Sequence, residues 1–339
     1  MTMSELAMPA MHLSSRFSFS VVLRCAAVLV LGIVAVSLSA CGERKQMLSI
    51  ATGGTGGVYY PLGGAFANVL SARLAGYQAS AEVTGGSIDN LKLIGSSGAD
   101  IAFAMVDAAW DAYEGQDKFA SGKVPIRTLA VLYPNRMHAA TVEGRGIANM
   151  QDFKGKRVSV GSAGGATELM ALRILEAYGL QDAIVRERLS VAESVNAIKD
   201  GKIDAFFWAG GLPTAAITDL ASTPGAKLRL IEHAAAVDKM NARHGPLYAV
   251  GTIAKDVYPG MPGEIRIATA WNVMIAHRDM PDALAYDIAK ILFESTPELI
   301  AVHKEAGSIA LKHQSAKLSP IPFHPGAARY LRERGVTID

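Results

Sequence analysis

The sequence predicts an α/β fold in two lobes with a cleft between them, and three observations predict it. Short β-type runs alternate with helical patterns between residues 47 and 105, the rhythm of a mainly parallel sheet. The same rhythm restarts at DFKGKRVSV (152–160). Two longer extended stretches, 126–143 and 265–277, stand where a chain would cross from one lobe to the other and return.

Taken in order, the chain opens on a basic segment with Arg16 and Arg24, followed by the apolar run AAVLVLGIVAVSL and then Ser39-Ala40-Cys41. This is the layout of a secretory signal peptide. The run is too short for a membrane-crossing helix, which needs ~20 residues. Its Leu38-Ser39-Ala40-Cys41 ending resembles a bacterial lipobox, so residues 1–41 read as a lipoprotein signal peptide and Cys41 as the lipidation site. The only other cysteine, Cys25, would leave with the leader, so the mature chain can form neither a disulfide nor a thiolate metal site. The expected address is the periplasm or cell surface, with the chain held to the membrane by lipid.

Residues 42–46 form a short polar linker. The first lobe is expected at 47–135, with strands at MLSIA, QASAEV and IAFAMV and helices near 61–74 and 87–95, and its remainder at about 278–339. IRTLAVLY and HAATVE flank Tyr133-Pro134-Asn135, which reads as a crossover. The second lobe, about 136–277, holds a helix over ATELMALRILEAYGL, the AIKDGKIDAFFWAG unit and LRLIEH; LYAVGTI and IRIATAWNVMIAH bring the chain back.

Charge excludes some functions. With 33 Lys and Arg against 31 Asp and Glu, and no basic block, nothing offers a footprint for nucleic acid. The histidines show no metal-ligand spacing and no nucleophile elbow occurs, so no metal, cofactor or catalytic site is expected.

Function is expected in the loops at strand ends. In ATGGTGGVYYPLGG (51–64) two Gly-Gly pairs interrupt a strand-to-helix turn, so main-chain N–H groups and the helix N-terminus are open to an anion. No Gly-Lys-Ser/Thr follows, and Tyr59 stands where a dinucleotide fingerprint needs its third glycine. Gly53, Thr55, Gly56, Gly57 and Tyr59 are therefore candidate ligand contacts. TGGSIDN (84–90) adds Ser87, placed to cap the next helix, and Asn90, a donor and acceptor one turn on. GSAGGAT (161–167) repeats the pattern with Ser162, Gly164 and Thr167, so two facing helix entrances would form an anion clamp. Trp208 in WAGGLPT is either an apolar wall or core, and Asp107 is either a ligand acceptor or a helix cap.

Together, Gly53-to-Pro61, Thr84-Gly85-Gly86-Ser87 with Asn90, DFKGKRVSVG, AGGLPT and HPGAARYLRERG (324–335) resemble the TAXI family, solute receptors of tripartite ATP-independent periplasmic (TRAP) transporters. The resemblance implies a type II periplasmic-binding-protein-like fold, a hinge-closing receptor for small organic acids such as glutamate-like or 2-oxoglutarate-like dicarboxylates, and a TRAP membrane permease as partner. One departure is Met105-Val106-Asp107, where such proteins commonly carry Gln-Ser-Asp. The rival expectations are a ligand-sensing surface lipoprotein and a periplasmic enzyme on the same scaffold.

Overall fold

The computed structural model describes residues 45–338. The leader, Cys41 and most of the expected linker lie outside that range. Residues from Gln46 onward form one compact unit.

The first expected rhythm is present as β1 (Gln46–Ala51), α1 (Tyr59–Arg73), β2 (Tyr77–Glu82), α2 (Ser87–Gly95), β3 (Ile101–Met105) and α3 (Val106–Glu114). The second runs through β5 (Arg157–Ser159), α4 (Ala166–Ala177), β6 (Val185–Glu187), α5 (Val191–Lys199), β7 (Ala205–Gly210), α6 (Ala215–Ser222) and β8 (Leu228–Leu230). Then come α7 (Val237–His244), β9 (Tyr248–Ile253), α8 (Asp282–Glu294), α9 (Thr296–Val302) and α10 (Pro325–Glu333). Two long strands join these sets, β4 (Ile126–Val142) and β10 (Ile265–His277). Tyr133-Pro134-Asn135, expected as a crossover between two strands, lies inside the single strand β4. Pro134 is tolerated there although it has no N–H to give the ladder, at a stretch where the β10 partner register slips.

All ten strands belong to one sheet, along which the order is β2-β1-β3-β10-β4-β7-β5-β6, with β8 on β4 and β9 on β10. The expectation of a mainly parallel sheet is corrected. β1 pairs in parallel with β2 and β3, and β5 with β6 and β7, but β4 and β10 run antiparallel to every strand they pair with. The reason is that outward and return crossings run in opposite directions along the middle of the sheet. The two sets of parallel strands are halves of this one sheet. Ile265 to Ala270 of β10 pair with β9, whereas Asn272 to Ala276 pair with β3.

Packing follows the sequence pattern. β3 is buried at every position and read as an uninterrupted apolar run. The larger core joins Phe66, Leu91, Phe103, Tyr133, Ile174 and Phe207, while Val195, Ile198, Phe206, Ile217 and Tyr258 form a smaller one beneath α5 and α6. His138 of β4 is fully buried in this region. Its Nδ1 faces the carbonyls of Arg136 and Trp208, and its Nε2 lies 2.9 Å from Tyr258 Oη. Burial pushes its pKa down to about 4, so the ring is neutral at pH 7.

Among the described residues no helix is long and apolar enough to cross a membrane, and no group of three or more His, Cys, Asp or Glu is placed to hold a metal ion.

Candidate functional site

A cavity of about 240 Å³ lies where the carboxyl ends of β1, β2, β3, β5, β6 and β7 converge. Loops at these ends carry ligand sites in open α/β sheets, since there the chain leaves the sheet free to vary. Walls come from both halves: 53–59 and 83–87 on one side, and Ser162, 165–167, 190–192 and 208–210 on the other. Met105, Tyr133 and Asn135 complete the lining. Among the described residues no Lys, Arg, His, Asp or Glu lines it.

The 53–58 loop is built as its glycines require. The Gly57 N–H donates to the Gly54 carbonyl, while the N–H groups of Gly53, Gly54, Thr55 and Gly56 have no acceptor among the described residues. Gly57 is needed for a close approach, because a Cβ there would lie 3.0 Å from the Trp208 indole. The indole is fixed in turn by donation from Trp208 Nε1 to Thr214 Oγ1 at 2.9 Å. Of the two readings for Trp208, wall and core, it is both: partly buried against the smaller core and lining the cavity. Tyr59 packs its ring 5.3 Å from that of Phe103 and donates its hydroxyl proton to Asn272 Oδ1. Burial pushes its pKa up, so it remains a phenol.

The two glycine loops of opposite halves touch directly. The Gly164 carbonyl accepts from the N–H groups of Ile88 and Asp89 at 3.0 and 3.1 Å, and Ser162 Oγ donates to the Gly85 carbonyl at 2.9 Å. The expected clamp of two open helix entrances is therefore corrected: the first turn of α2 is already capped from across the cleft, and an anion has no access to those N–H groups. Ser87 does not cap α2 either. Gly86 holds the N-cap position, and Ser87 Oγ accepts from the Met105 N–H at 3.0 Å, tying α2 to the end of β3.

Of the residues expected to contact a ligand, Gly53, Thr55, Gly56, Gly57, Tyr59, Ser87, Ser162, Thr167 and Trp208 line one cavity. Asn90, Asp107 and Gly164 do not. Asn90 is fully buried; its Nδ2 donates to the carbonyls of Ala51, Thr52 and Phe103, and its Oδ1 accepts from Thr84 Oγ1, so its polar capacity is spent holding three strand ends together. Gly164 has φ +80°, and a Cβ there would lie 2.1 Å from Asp89 Oδ2; it serves the loop contact rather than the void. Arg136 is turned away as well, with Nη1 donating to Glu305 Oε1 at 2.6 Å and to the Pro134 carbonyl.

Asp107 belongs to a different arrangement. Its Oδ2 accepts from Tyr248 Oη at 2.9 Å, Tyr248 Oη accepts from Arg173 Nη1 at 2.7 Å, and Arg173 Nη2 donates to Asp111 Oδ2 at 2.6 Å. Arg173, Asp107 and Asp111 are 5 %, 0 % and 2 % exposed. Burial pushes Asp107 up and Asp111 up to about 6, against the pull of the guanidinium. This cluster joins α3, α4 and β9 within the core.

Sequence reasoning missed Tyr133, Asn135, Thr84, Gly86, Met105 and Ser190-to-Ala192. The Tyr-Pro-Asn triplet was visible as an oddity within an apolar strand pattern, and a buried polar residue there is the signal that points to a site. Ser190 was legible only as a capping box with Glu193, a role it also performs.

Among solved structures the chain is similar to the periplasmic aliphatic sulphonate binding protein SsuA of Escherichia coli, at 16 % identity over 85 % of this chain and 83 % of that one, TM-score 0.46. It is also similar to a putative L-cystine ABC transporter protein of Listeria monocytogenes (15 %, 78 % and 95 %, TM-score 0.47). A third is the probable amino-acid ABC transporter extracellular-binding protein of Bacillus subtilis (16 %, 78 % and 97 %, TM-score 0.44). A family model matches residues 50–335, nearly the whole described chain, and the protein belongs to the NMT1-like family.

Proposed function

We propose that this protein is an extracytoplasmic receptor that captures a small organic acid and passes it, unchanged, to a membrane transporter. The observation that carries this reading is the cavity: strand-end loops from both halves line it, N–H groups at 53–56 with no acceptor among the described residues offer an anion site, and among those residues no carboxylate, imidazole, ammonium, guanidinium or thiol stands in its wall. The volume, below the roughly 300–1,000 Å³ of drug-sized sites, suits a metabolite. A carboxylate on the 53–56 amides, engaged from the other half by the Thr167 hydroxyl, would touch both halves and favour the closed form, since only differential affinity shifts such an equilibrium.

On this reading residues 47–135 with about 278–339 act as one lobe and about 136–277 as the other. The loops' likeness to TAXI receptors supports a TRAP permease as partner and a dicarboxylate as ligand, and an ABC-type importer, the kind of system the similar structures serve, is the alternative partner. The leader supports a lipid anchor at Cys41, for which loss of fatty-acid labelling in Cys41→Ser is the deciding result.

Native mass spectrometry of the purified protein is expected to show a retained small acid, and scattering to show compaction when it is added back to stripped protein. An unoccupied cavity after gentle purification, with no compaction by any acid tested, would end this reading.

A further inference from the structure

Five helices start at the cavity. Val58, Gly86, Met105, Gly165 and Ser190 are the N-cap residues of α1 to α5, and all five line it. The chain order brings this about, because β1, β2, β3, β5 and β6 each lead at their carboxyl ends into one of these helices. The helices are 9 to 15 residues long. Each start presents roughly half a positive charge and N–H groups that the helix itself cannot pair.

Acids in the first turns offset part of that charge. Asp89, Asp107, Glu168 and Glu193 stand there in α2 to α5, whereas α1, which follows the 53–57 loop, has none. None of the four lines the cavity. Asp107 accepts from Tyr248 Oη and the Ala108 N–H, Glu168 from Arg188 Nε at 2.7 Å, and Glu193 from the Ser190 N–H at 2.8 Å. The Asp89 carboxylate lies against Gly85 and Gly164, within the contact between the two glycine loops. The wall thus offers N–H groups at 53–56 and, among the described residues, no carboxylate.

We infer that the cavity admits organic acids that carry no amino group and turns away the α-amino acids of the same skeleton. This rests on the receptor reading above and narrows its ligand class. The carboxylate is common to both kinds of ligand, so the ammonium decides. It is donor-only and charged. Among helix starts it meets charge of its own sign, and a charge taken out of water without a partner carries a large penalty. An oxo or hydroxyl oxygen in the same place accepts from N–H groups instead.

The test is calorimetry on the full chain with pairs of one skeleton: 2-oxoglutarate against glutamate, 4-methyl-2-oxopentanoate against leucine, and succinate against aspartate. In each pair that binds, the amine-free member is expected to bind at least about tenfold more tightly. Equal or tighter binding of an amino acid would overturn the inference. A second readout supplies the missing carboxylate. Ala192 is exposed, lines the cavity in the first turn of α5, and has its Cβ 3.5 Å from where a Cβ on Gly56 would stand. An acid is well placed at such a helix start. Ala192→Glu should narrow the preference at least about tenfold relative to the neutral Ala192→Gln, and equal preference in the two variants would count against the inference. Should the whole panel stay silent, the molecule retained in the native mass spectrum decides: released and treated with dansyl chloride, it should remain unlabelled. A labelled primary amine would overturn the inference and leave the receptor reading standing. No retained molecule and no binding would end both, so the two failures are distinguishable.

Discussion

Arg173→Met is expected to lower the unfolding free energy by about 3–5 kcal/mol, the range for removing one partner from a buried ion pair. The loss arises because Asp107 and Asp111 would be left in the core without the guanidinium that both lean on, one by direct contact and the other through Tyr248. Denaturant unfolding measures it as a shift in midpoint at unchanged slope. The double variant Arg173→Met with Asp111→Leu should recover a large part of the loss, since an apolar replacement of the pair removes a stranded charge. A single variant within about 1 kcal/mol of the parent would show that the cluster is not a coupled unit. Ligand affinity should stay near the parent value in the folded fraction of Arg173→Met, which separates this cluster from the cavity.

Replacing Gly56 by Trp is expected to weaken ligand binding at least a hundredfold, about 2.7 kcal/mol, in a protein that still folds. A Cβ at Gly56 would sit 3.4 Å from Val191 Cγ1 and 3.5 Å from Ala192 Cβ, which is ordinary contact. Anything longer must fill the cavity or push the 190–192 segment away. Gly56→Ala should therefore bind within about tenfold of the parent, while Gly56→Trp should neither bind nor compact in scattering. Near-parent affinity in Gly56→Trp would remove the 53–57 loop from the site.

How far the sequence led depends on whether the relevant contact is local. The elements of each half could be read because apolar periodicity and glycine punctuation act within a few residues. The same holds for the strand-end loops, where Gly53, Gly56, Gly57, Ser162 and Trp208 were found from their neighbours alone. What could not be read involves partners far apart in the chain. Asp107 at a strand end looks like a ligand acceptor until Tyr248 and Arg173 are brought beside it, and Asn90 looks free until three strand ends close on it. The antiparallel centre was hidden for the same reason: direction in a sheet depends on which strands become neighbours, and β4 and β10 lie more than a hundred residues apart. Asn135 was passed over because Tyr133-Pro134-Asn135 read only as a crossover, and its place beside the cavity depends on the pairing with β10.

The sharing of β4 and β10 also bears on how the molecule comes apart. Each set of parallel strands ends on a strand that continues into the other set, so neither half owns a complete sheet. Fragments cut to the expected lobe boundaries would each expose one flank of a long strand whose ladder partners had been removed. Unfolding should consequently proceed as a single cooperative event over residues 46–338, with the slowest amide exchange along Ala130–Val131 and Val273–Met274, where the two shared strands lie side by side in the core.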